Sequence, residues 1–358
     1  MKILVFGAGV LGSLYAARLQ DAGHEVTILA RGSRAGQIRE HGIVLLDSTS
    51  GLQTSTLVNV IEVLEPGDEY DLALVVVRKN QLAEALPLLA ANQRIPSFLF
   101  LVNNAAGPSA LLQALGRERV LMGFPGAGGT RQGYLVEYAQ AKGQPTIIGE
   151  PDGARTARIE QTAATLREAG FPVSICTNMD AWLKTHAALV SPIANAIYLA
   201  DGDNYRLSKT RDGVVLMVRA IREGLNVLKA SGIPIIPAKY RYLNLLPEPV
   251  LVRMLQKGLA TQRAELVLAR HANAARDEMA LLADEFKQLA MRSGVPTPSI
   301  DLLASYIDPE TPALSEGSAA LAQNWRGLWA MVGGFALLNL GLGLLIARGR
   351  KKRSRTSK

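Results

Sequence analysis

Residues 2–34, KILVFGAGVLGSLYAARLQDAGHEVTILARGSR, decide the fold of the chain. Residues 2–6 are an apolar run typical of a buried strand, residues 7–12 fit the pattern G-x-G-x-x-G, and residues 13–22 have helical spacing. A second strand is predicted at residues 25–30. A glycine turn between a strand and a helix presents backbone N–H groups to a bound pyrophosphate. The stretch therefore predicts a Rossmann-type, dinucleotide-binding domain.

The glycine turn supplies the first set of candidate cofactor contacts. Gly7 allows the tight turn, Gly9 leaves room for a pyrophosphate beside the backbone, and Gly12 lets the helix and the strand pack closely. The complete set that we predict here is Gly7, Ala8, Gly9, Val10, Leu11 and Gly12.

The loop after the second strand predicts which dinucleotide binds. Sites for NAD usually place Asp or Glu there to bond the ribose 2′-hydroxyl, whereas NADP sites use an arginine for the 2′-phosphate. This loop reads Arg31-Gly32-Ser33-Arg34 and contains no acid. Guanidinium and hydroxyl groups suit phosphate oxygens, so we predict NADP(H) rather than NAD(H). The alternative interpretation is a solvated basic loop.

Strands and helices continue to alternate as far as residue 176, which predicts a doubly wound α/β sheet. The runs 71–77 and 98–102 are apolar throughout, as in a parallel sheet that is covered on both faces. Long helices follow, among them 213–230 and 279–292. The fold expected is an N-terminal Rossmann-type sheet, then an all-helical C-terminal domain.

The chain divides on these grounds into five predicted segments. They are an NADP-binding domain at 1–176, a helical substrate domain at 177–307, a linker at 308–327, an apolar helix at 328–347 and a basic tail at 348–358. The apolar helix would be about 30 Å long, enough to span a bilayer, and Trp325 and Trp329 flank its start. The alternatives are a buried helix and a helix that lies in the membrane surface.

The charge distribution limits the partners. Seven of the 39 Lys and Arg residues lie in the tail 348–358, which has no acid, and the remaining 32 face 31 Asp and Glu. The body is therefore nearly neutral and is not expected to bind nucleic acid, whereas the tail is expected to bind membrane lipid. We expect membrane association with a cytoplasmic catalytic domain. A full span would export the basic tail, against the positive-inside tendency, so the topology stays open.

Polar residues after two predicted strands are candidates for the ligand crevice: Arg78-Lys79-Asn80-Gln81 after one strand and Asn103-Asn104 after the next. The alternative is that they are turn residues. With four His and one Cys, no metal site is predicted. Reduction of a carbonyl would then need Lys, Tyr or His as the proton donor, and Lys184 and His186 open the helical domain. Cys176, in an apolar run, is predicted to be a packed thiol and not a nucleophile.

The chain resembles the ketopantoate reductase family over about residues 1–307. The resemblance is carried by the glycine turn, Leu29-Ala30-Arg31-Gly32, Arg78, Gln81, Asn104, Ile148-Gly149-Glu150, Trp182-Leu183-Lys184, Arg222-Glu223 and Glu278. It implies NADPH-dependent reduction of a small 2-oxo acid in a cleft between a Rossmann domain and a helical domain. A homodimer is a candidate assembly.

The resemblance also implies roles for individual residues. Lys184 would be the general acid and a substrate anchor, Glu278 would bond the substrate hydroxyl, and Asn104 would bridge cofactor and substrate. Arg78 and Gln81 would contact the cofactor together with Arg31 and Ser33.

Four positions depart from the family pattern. Two family asparagines are replaced by Ala188 and Pro192, a serine by Leu266, and a lysine by Arg78. The hydride machinery thus looks retained, while the substrate pocket looks altered. Two alternatives follow: a reductase for a more apolar carbonyl compound, or a non-catalytic, membrane-tethered NADP(H)-binding protein.

Overall fold

The computed structural model describes residues 1–140 and 143–329. The strands are β1 (Lys2–Phe6), β2 (Glu25–Leu29), β3 (Ile43–Asp47), β4 (Gln53–Thr56), β5 (Asn59–Ile61), β6 (Leu72–Val75), β7 (Phe98–Leu101), β8 (Val120–Phe124), β9 (Ala127–Gln132), β10 (Leu135–Gln140), β11 (Thr146–Gly149) and β12 (Val173–Ile175).

The helices are α1 (Val10–Asp21), α2 (Gly32–His41), α3 (Leu82–Ala91), α4 (Ser109–Leu115), α5 (Ala157–Glu168), α6 (Met179–Leu199), α7 (Asn204–Lys209), α8 (Arg211–Ala230), α9 (Glu248–Leu259), α10 (Gln262–Ala264), α11 (Arg270–Ala274), α12 (Arg276–Ser293) and α13 (Pro298–Ala304). A π-helical turn covers Glu265–Ala269, and 3₁₀ turns cover Lys79–Gln81, Arg117–Arg119, Ala238–Asn244 and Ser305–Ile307.

The larger sheet has the strand order β12-β11-β8-β7-β6-β1-β2-β5. Six neighbouring strands, in the order β5, β2, β1, β6, β7 and β8, are parallel. Strand β11 then pairs with β8 in the antiparallel direction. This parallel part has the order of a doubly wound dinucleotide-binding sheet, whose ligand crevice lies at the carboxyl ends of its strands. The Rossmann-type prediction is therefore confirmed.

A second sheet with the order β4-β3-β10-β9 was not expected from the sequence. Its central pair, β3 and β10, is parallel although ninety residues separate the two strands along the chain. Helix α1 contacts both β9 and β10, so this sheet covers the helix that follows the glycine turn. Its β9–β10 end thereby approaches the phosphate end of the crevice.

Helices α6 to α13 form the all-helical C-terminal part that the sequence predicts. Its core is a continuous apolar cluster that includes Ile197, Val218, Leu225, Leu282 and Leu303, each fully or almost fully buried. Helix α6 connects the two parts, because its first turn packs on β8 and its later turns pack on α8.

Residues 308–324, which we call the strap, lie against the helical domain. The buried carboxylate of Asp212 accepts hydrogen bonds from Ser318 Oγ at 2.6 Å and from the N–H groups of Ala320 and Leu321 at 2.7 and 2.9 Å. Although burial raises the pKa of Asp212, these hydrogen bonds hold it below its ordinary value. Glu248 accepts a further bond from the N–H of Asn324 at 2.9 Å. The second half of the predicted linker is thus hydrogen-bonded to the body.

Among the described residues, no helix combines the length and the apolar character needed to cross a bilayer. The predicted apolar helix 328–347 lies outside the described residues except for Leu328 and Trp329, and so does the basic tail 348–358.

Candidate active site

The glycine turn joins β1 to α1 with the geometry that the motif requires. Gly7 has φ +115°, and a Cβ there would lie 2.3 Å from the carbonyl oxygen of Val76. A Cβ on Gly12 would lie 1.8 Å from the carbonyl oxygen of Gly7. A Cβ on Gly9, by contrast, would meet no atom within 4 Å. Two glycines are therefore needed by the fold, and Gly9 borders open space that a pyrophosphate can fill.

A cleft of about 570 Å³ runs along the carboxyl ends of β1, β2 and β6. Of the predicted cofactor residues, it is lined by Gly7, Ala8, Gly9, Arg31, Arg78 and Gln81. Val10, Leu11, Gly12, Ser33 and Asn104 do not line it. The cleft has the place and shape expected for an extended dinucleotide, with arginine at the end beyond β2.

The two arginines of the 31–34 loop differ in role. Arg31 is exposed at the cleft, whereas Arg34 is buried. Arg34 donates to Ala8 O at 3.2 Å, to Ser13 Oγ at 2.8 Å and to Tyr134 O at 3.3 Å. Burial, assisted by the charge of Arg131, lowers the pKa of Arg34 to about 10. Arg34 therefore supports the glycine turn, and Arg31 is the arginine available to a 2′-phosphate.

Arg131 is a cleft residue that the sequence did not reveal. It lies on β9, in the unexpected second sheet, and it lines the cleft opposite Arg31. Its guanidinium donates to Gly133 O at 3.2 Å and to Gln37 Oε1 at 3.4 Å, and it remains exposed. Its position follows from sheet pairing across the chain, for which the local sequence carries no signal.

Lys184 lies on the second turn of α6 and faces the loop that follows β7. Its Nζ is 2.5 Å from Asp180 Oδ2 and 3.4 Å from the position that a Cβ on Gly107 would occupy. Its side chain is 13% exposed. The other oxygen of Asp180, Oδ1, is buried and has no hydrogen-bond partner within the described residues. The carboxyl end of the sheet thus holds a nearly buried ammonium paired with a partly exposed carboxylate, one oxygen of which accepts no hydrogen bond from the described residues.

Glu278, on the first turn of α12, reaches the same strand ends from the helical domain. It is 4% exposed, and its Oε1 accepts hydrogen bonds from the backbone N–H of Lys79 at 3.1 Å and from Asn103 Nδ2 at 3.0 Å. Asn103 Oδ1 is buried without a partner among the residues described. Asn103 therefore offers a second free acceptor beside Glu278.

Asn104 uses both ends of its carboxamide within the protein. Its Oδ1 accepts from Lys79 Nζ at 2.9 Å, and its Nδ2 donates to Gly107 O at 2.8 Å. Lys79 also pairs with Glu285 at 3.2 Å, and Glu285 accepts the backbone N–H groups of Ala105 and Ala106. Asn104 is thus held in the loop beside Lys184. Its predicted contact with the cofactor stays a prediction.

Lys79 belongs to the predicted crevice segment 78–81, whereas Asp180 and Glu285 were missed in the sequence, although weak signals existed. Lys79 directly follows Arg78 at a strand end, Asp180 precedes Lys184 by one helical turn, and Glu285 follows Glu278 by two turns of the same helix. Each spacing places the residue beside a predicted one.

Arg78 and its neighbours bond the Rossmann domain to α12. Arg78 donates to Ala274 O at 2.6 Å and to Asp277 at 3.3 Å, while Asn80 Nδ2 donates to the same carboxylate at 2.7 Å. Gln81 Oε1 accepts the backbone N–H of Arg78 at 3.1 Å. Arg78 consequently lines the cofactor cleft on one side and bridges to the helical domain on the other.

His186 is enclosed by aromatic rings. Its ring centroid lies 4.1 Å from that of Phe124 and 5.5 Å from that of Trp182, with which it stacks. Burial, with a smaller contribution from His271, lowers the pKa of His186 to about 4. His186 is therefore neutral near pH 7 and is a packing residue, so Lys184 is the stronger of the two sequence candidates for proton donor.

Three of the positions that depart from the family pattern lie in different surroundings. Ala188 is fully buried where α6 crosses α8, and a Cβ on Gly224 would lie 3.1 Å from its Cβ. Pro192 is also buried, one turn later. Leu266 instead lines a cavity of about 420 Å³ beside β10 and the π-helical turn. These residues therefore do not form one apolar wall around the substrate site.

Other residues of the resemblance support the fold. Glu150 is buried and ion-paired with Arg158, and Arg222 donates to Leu243 O and Leu246 O. Glu223 accepts the N–H groups of Ser299 and Ile300 and so caps α13. Cys176 is half-buried, and burial raises the pKa of its thiol, in keeping with a packed thiol.

Comparisons with known proteins agree with this geometry. Residues 3–153 match the family model described as "Ketopantoate reductase PanE/ApbA". A 2-dehydropantoate 2-reductase of Halobacterium salinarum is 26% identical over 86% of this chain and 98% of its own length. The corresponding protein of Mesorhizobium japonicum is 26% identical over 65% of this chain and 79% of its own length.

Solved structures share the fold at low identity. The 2-dehydropantoate 2-reductase of Geobacter metallireducens superposes with a TM-score of 0.72 at 19% identity, over 87% of this chain and all of the other. A ternary structure of D-mandelate dehydrogenase with NADH and anilino(oxo)acetate gives a TM-score of 0.68 at 17% identity, over 86% of this chain and 97% of the other. Together with the glycine turn and the arginine-lined cleft, these matches show that the chain is similar, at low identity, to the ketopantoate reductase family of NADP-dependent oxidoreductases.

Proposed function

We propose that the protein reduces a 2-oxo acid with NADPH and that Lys184 supplies the proton. The observation that carries the proposal is the position of Lys184. Its ammonium lies against the Asn104–Gly107 loop, at the carboxyl end of the sheet whose first turn holds the dinucleotide motif. When bound, NADPH supplies a hydride, and the carbonyl oxygen that receives the proton must lie near such a donor.

The residues of the cleft suit NADPH. The open space at Gly9 and the N-terminus of α1 favour the pyrophosphate, and the exposed guanidiniums of Arg31 and Arg131 favour the 2′-phosphate. The cleft volume of about 570 Å³ is in the range of small-molecule sites.

Residues of the chain would orient the substrate and supply the proton. The carboxylate of Asp180 orients the Lys184 ammonium, which donates the proton to the developing alkoxide and attracts the substrate carboxylate. Glu278 and the free Oδ1 of Asn103 are acceptors for a substrate hydroxyl. Helix α12 packs on the turn Lys79–Gln81, and Glu278 and Lys184 are only 4% and 13% exposed, which limits the access of water to them.

Turnover with defined substrates tests the proposal. NADPH oxidation would be followed with 2-dehydropantoate, the substrate named for the curated relatives, and with a panel of aliphatic and aromatic 2-oxo acids. We expect turnover with at least one 2-oxo acid and none with a simple ketone that lacks the carboxylate. Tight NADPH binding without turnover on the whole panel would favour the non-catalytic alternative. Equal turnover of acid and ketone would favour the more apolar carbonyl substrate.

We also propose that the C-terminal segment attaches the enzyme to a membrane. Its support is the sequence alone: an uncharged run at 328–347, then seven basic residues. Deletion of residues 330–358 tests it and leaves intact the strap bonds to Asp212 and Glu248. We expect the full chain to sediment with membranes and the shortened chain to lose stable attachment while it keeps NADPH oxidation. Unchanged stable sedimentation would refute this anchor.

A further inference from the structure

A cluster of exposed apolar side chains lies on the helical domain, around α9. We call it the α9 face, and its members are Val250, Met254, Trp325 and Trp329. Trp329 is 69% exposed and Met254 is 57% exposed. Exposed large apolar side chains that lie together usually mark an interaction surface.

The end of the described chain is part of this face. Trp325 and Leu328 line a shallow cavity of about 410 Å³ together with Val250 and Arg253 of α9. A Cβ on Gly327 would lie 3.6 Å from the Cα of Pro247. The bond from Asn324 N–H to Glu248 fixes the chain just before these contacts. Residues 325–329 are therefore seated on α9 at a defined place.

The charge of the face is positive. Helix α9 has two exposed basic residues, Arg253 and Lys257, each within one turn of Met254, and Arg253 lines the cavity with Val250 and Trp325. The one acid of this helix, Glu248, is buried and paired with Arg219. Arg326 adds a further exposed cation between the two tryptophans. Indoles and basic residues together are typical of surfaces at a membrane–water interface.

The sequence beyond Trp329 agrees with that setting. Residues 330–347 contain no charge, and residues 348–358 contain seven basic residues and no acid. The described chain thus ends on a basic and aromatic face, and the sequence that follows is apolar.

We propose that the α9 face docks on an anionic lipid bilayer, with Met254, Trp325 and Trp329 at the interface and Arg253, Lys257 and Arg326 among the headgroups. The face gives the catalytic body a fixed orientation on the membrane, which a flexible tether alone would not provide. The inference is independent of the reductase reaction, because none of these residues lies in the cofactor cleft or beside Lys184.

Fluorescence from a label on the face tests docking with the full chain. In a Cys176→Ser background, a single cysteine at Met254→Cys carries an environment-sensitive dye, and a matched variant, Leu57→Cys, carries it on the Rossmann domain, where residue 57 is 76% exposed. Vesicles of phosphatidylcholine with phosphatidylglycerol contain a quencher in the acyl chains. We expect the dye at 254 to shift to shorter wavelength and to be quenched, and the dye at 57 to do neither.

Charge variants then separate docking from attachment by the tail. Because each basic residue near an anionic surface contributes about fivefold to binding, Arg253→Glu with Lys257→Glu is expected to abolish quenching at 254 while the chain still sediments with vesicles. Charge-conserving Arg253→Lys is the control and should keep the quenching.

Three results would overturn the proposal. The dye at 254 could already be shifted without vesicles, which would mean that residues 330–347 or a second copy of the chain cover the face. The dyes at 254 and 57 could be quenched alike, or quenching could survive the charge reversal. Reductase activity and NADPH binding should be equal in all these variants, so a failed docking test leaves the proposed function unaffected.

Discussion

The ammonium of Lys79 lies 3.2 Å from the carboxylate of Glu285, and this ion pair joins the carboxyl end of β6 to α12. Both side chains are nearly buried, and each makes further bonds to the loop that follows β7, Lys79 to Asn104 and Glu285 to Ala105 and Ala106. The pair therefore holds together two strand ends and one helix at the candidate active site.

Glu285→Gln is expected to destabilise the protein and to raise KM for the 2-oxo acid more than it lowers NADPH affinity. The reason is that the Lys79 charge loses its partner in a nearly buried place, which costs about 3 kcal/mol, and the loop beside Lys184 loses an acceptor. Thermal unfolding, steady-state kinetics and cofactor titration would measure this. The exposed pair Arg39–Glu62 supplies the control, since Glu62→Gln should change the Tm very little.

Two glycine substitutions in the same turn should have different effects. Gly12→Ala places a methyl 1.8 Å from Gly7 O, so we expect a lower Tm together with loss of NADPH binding. Gly9→Ala meets no protein atom, so we expect a Tm close to that of the wild type but much weaker NADPH binding. Differential scanning fluorimetry with and without NADPH distinguishes the two. Full NADPH affinity in Gly9→Ala would contradict the assigned pyrophosphate position.

Replacement of Arg31 and Arg34 separates cofactor preference from stability. Arg31→Ala should raise the KM for NADPH about 10- to 100-fold, as expected when a charged hydrogen-bonding partner is lost, with the KM for NADH and the Tm unchanged. Arg34→Ala should lower the Tm, because Ala8 O, Ser13 Oγ and Tyr134 O lose their donor. An unchanged NADPH preference in Arg31→Ala would show that the 2′-phosphate is bound elsewhere.

Lys184→Ala should lower kcat by about 10²- to 10⁴-fold, the range for loss of a general acid, while NADPH binds as before. Asp180→Asn should have a smaller effect on kcat and alter its pH dependence, because it removes the charge that orients Lys184 and keeps the side-chain shape. The control is Lys209→Ala, which removes a lysine exposed on α7. Activity equal to that of the wild type in Lys184→Ala would exclude the role proposed for this lysine.

Because the imidazole of His186 is buried, we expect the protein to lose stability in acid. A free imidazole titrates near pH 6.5, whereas burial lowers the pKa of His186 to about 4, so between these values only the unfolded chain binds the proton. Stability is then complete above pH 6.5 and decreases by up to about 3 kcal/mol as the pH falls to 4. In His186→Phe the Tm should fall less steeply over this range. Parallel profiles of Tm against pH would contradict the prediction.

Local sequence patterns were sufficient to predict the Rossmann sheet and the helical C-terminal part. The glycine turn and the apolar runs carry their signals within a few residues, and the structure has strands and helices there. The second sheet could not be predicted in the same way. Its strands β3 and β10 pair although they are far apart in the sequence, as Val44 and Leu135 show, and no local pattern indicates which strands pair. For the same reason Arg131 was missed.

Residues of the candidate site could be predicted only where they belong to a recognisable sequence motif. Lys184 and Glu278 both lie at the strand ends that the resemblance implies, but the partners that orient them, Asp180 and Asn103, are defined by tertiary contacts. Arg34 illustrates the same limit. The sequence shows its guanidinium only as one of two in a basic loop, whereas in the structure it donates to Ala8 O, Ser13 Oγ and Tyr134 O. The homodimer stays a prediction.

The difference between Arg31 and Arg34 has a consequence for evolution. Both arginines line the cleft, but Arg31 is exposed there, whereas Arg34 is buried and also bonded to the glycine turn, so a lineage can replace residue 31 in a single step without passing through an unstable intermediate. Selection on the choice of cofactor can thus act on residue 31 freely. Residue 34, with its bonds to Ala8 and Tyr134, is subject to selection for folding whichever cofactor the descendants use.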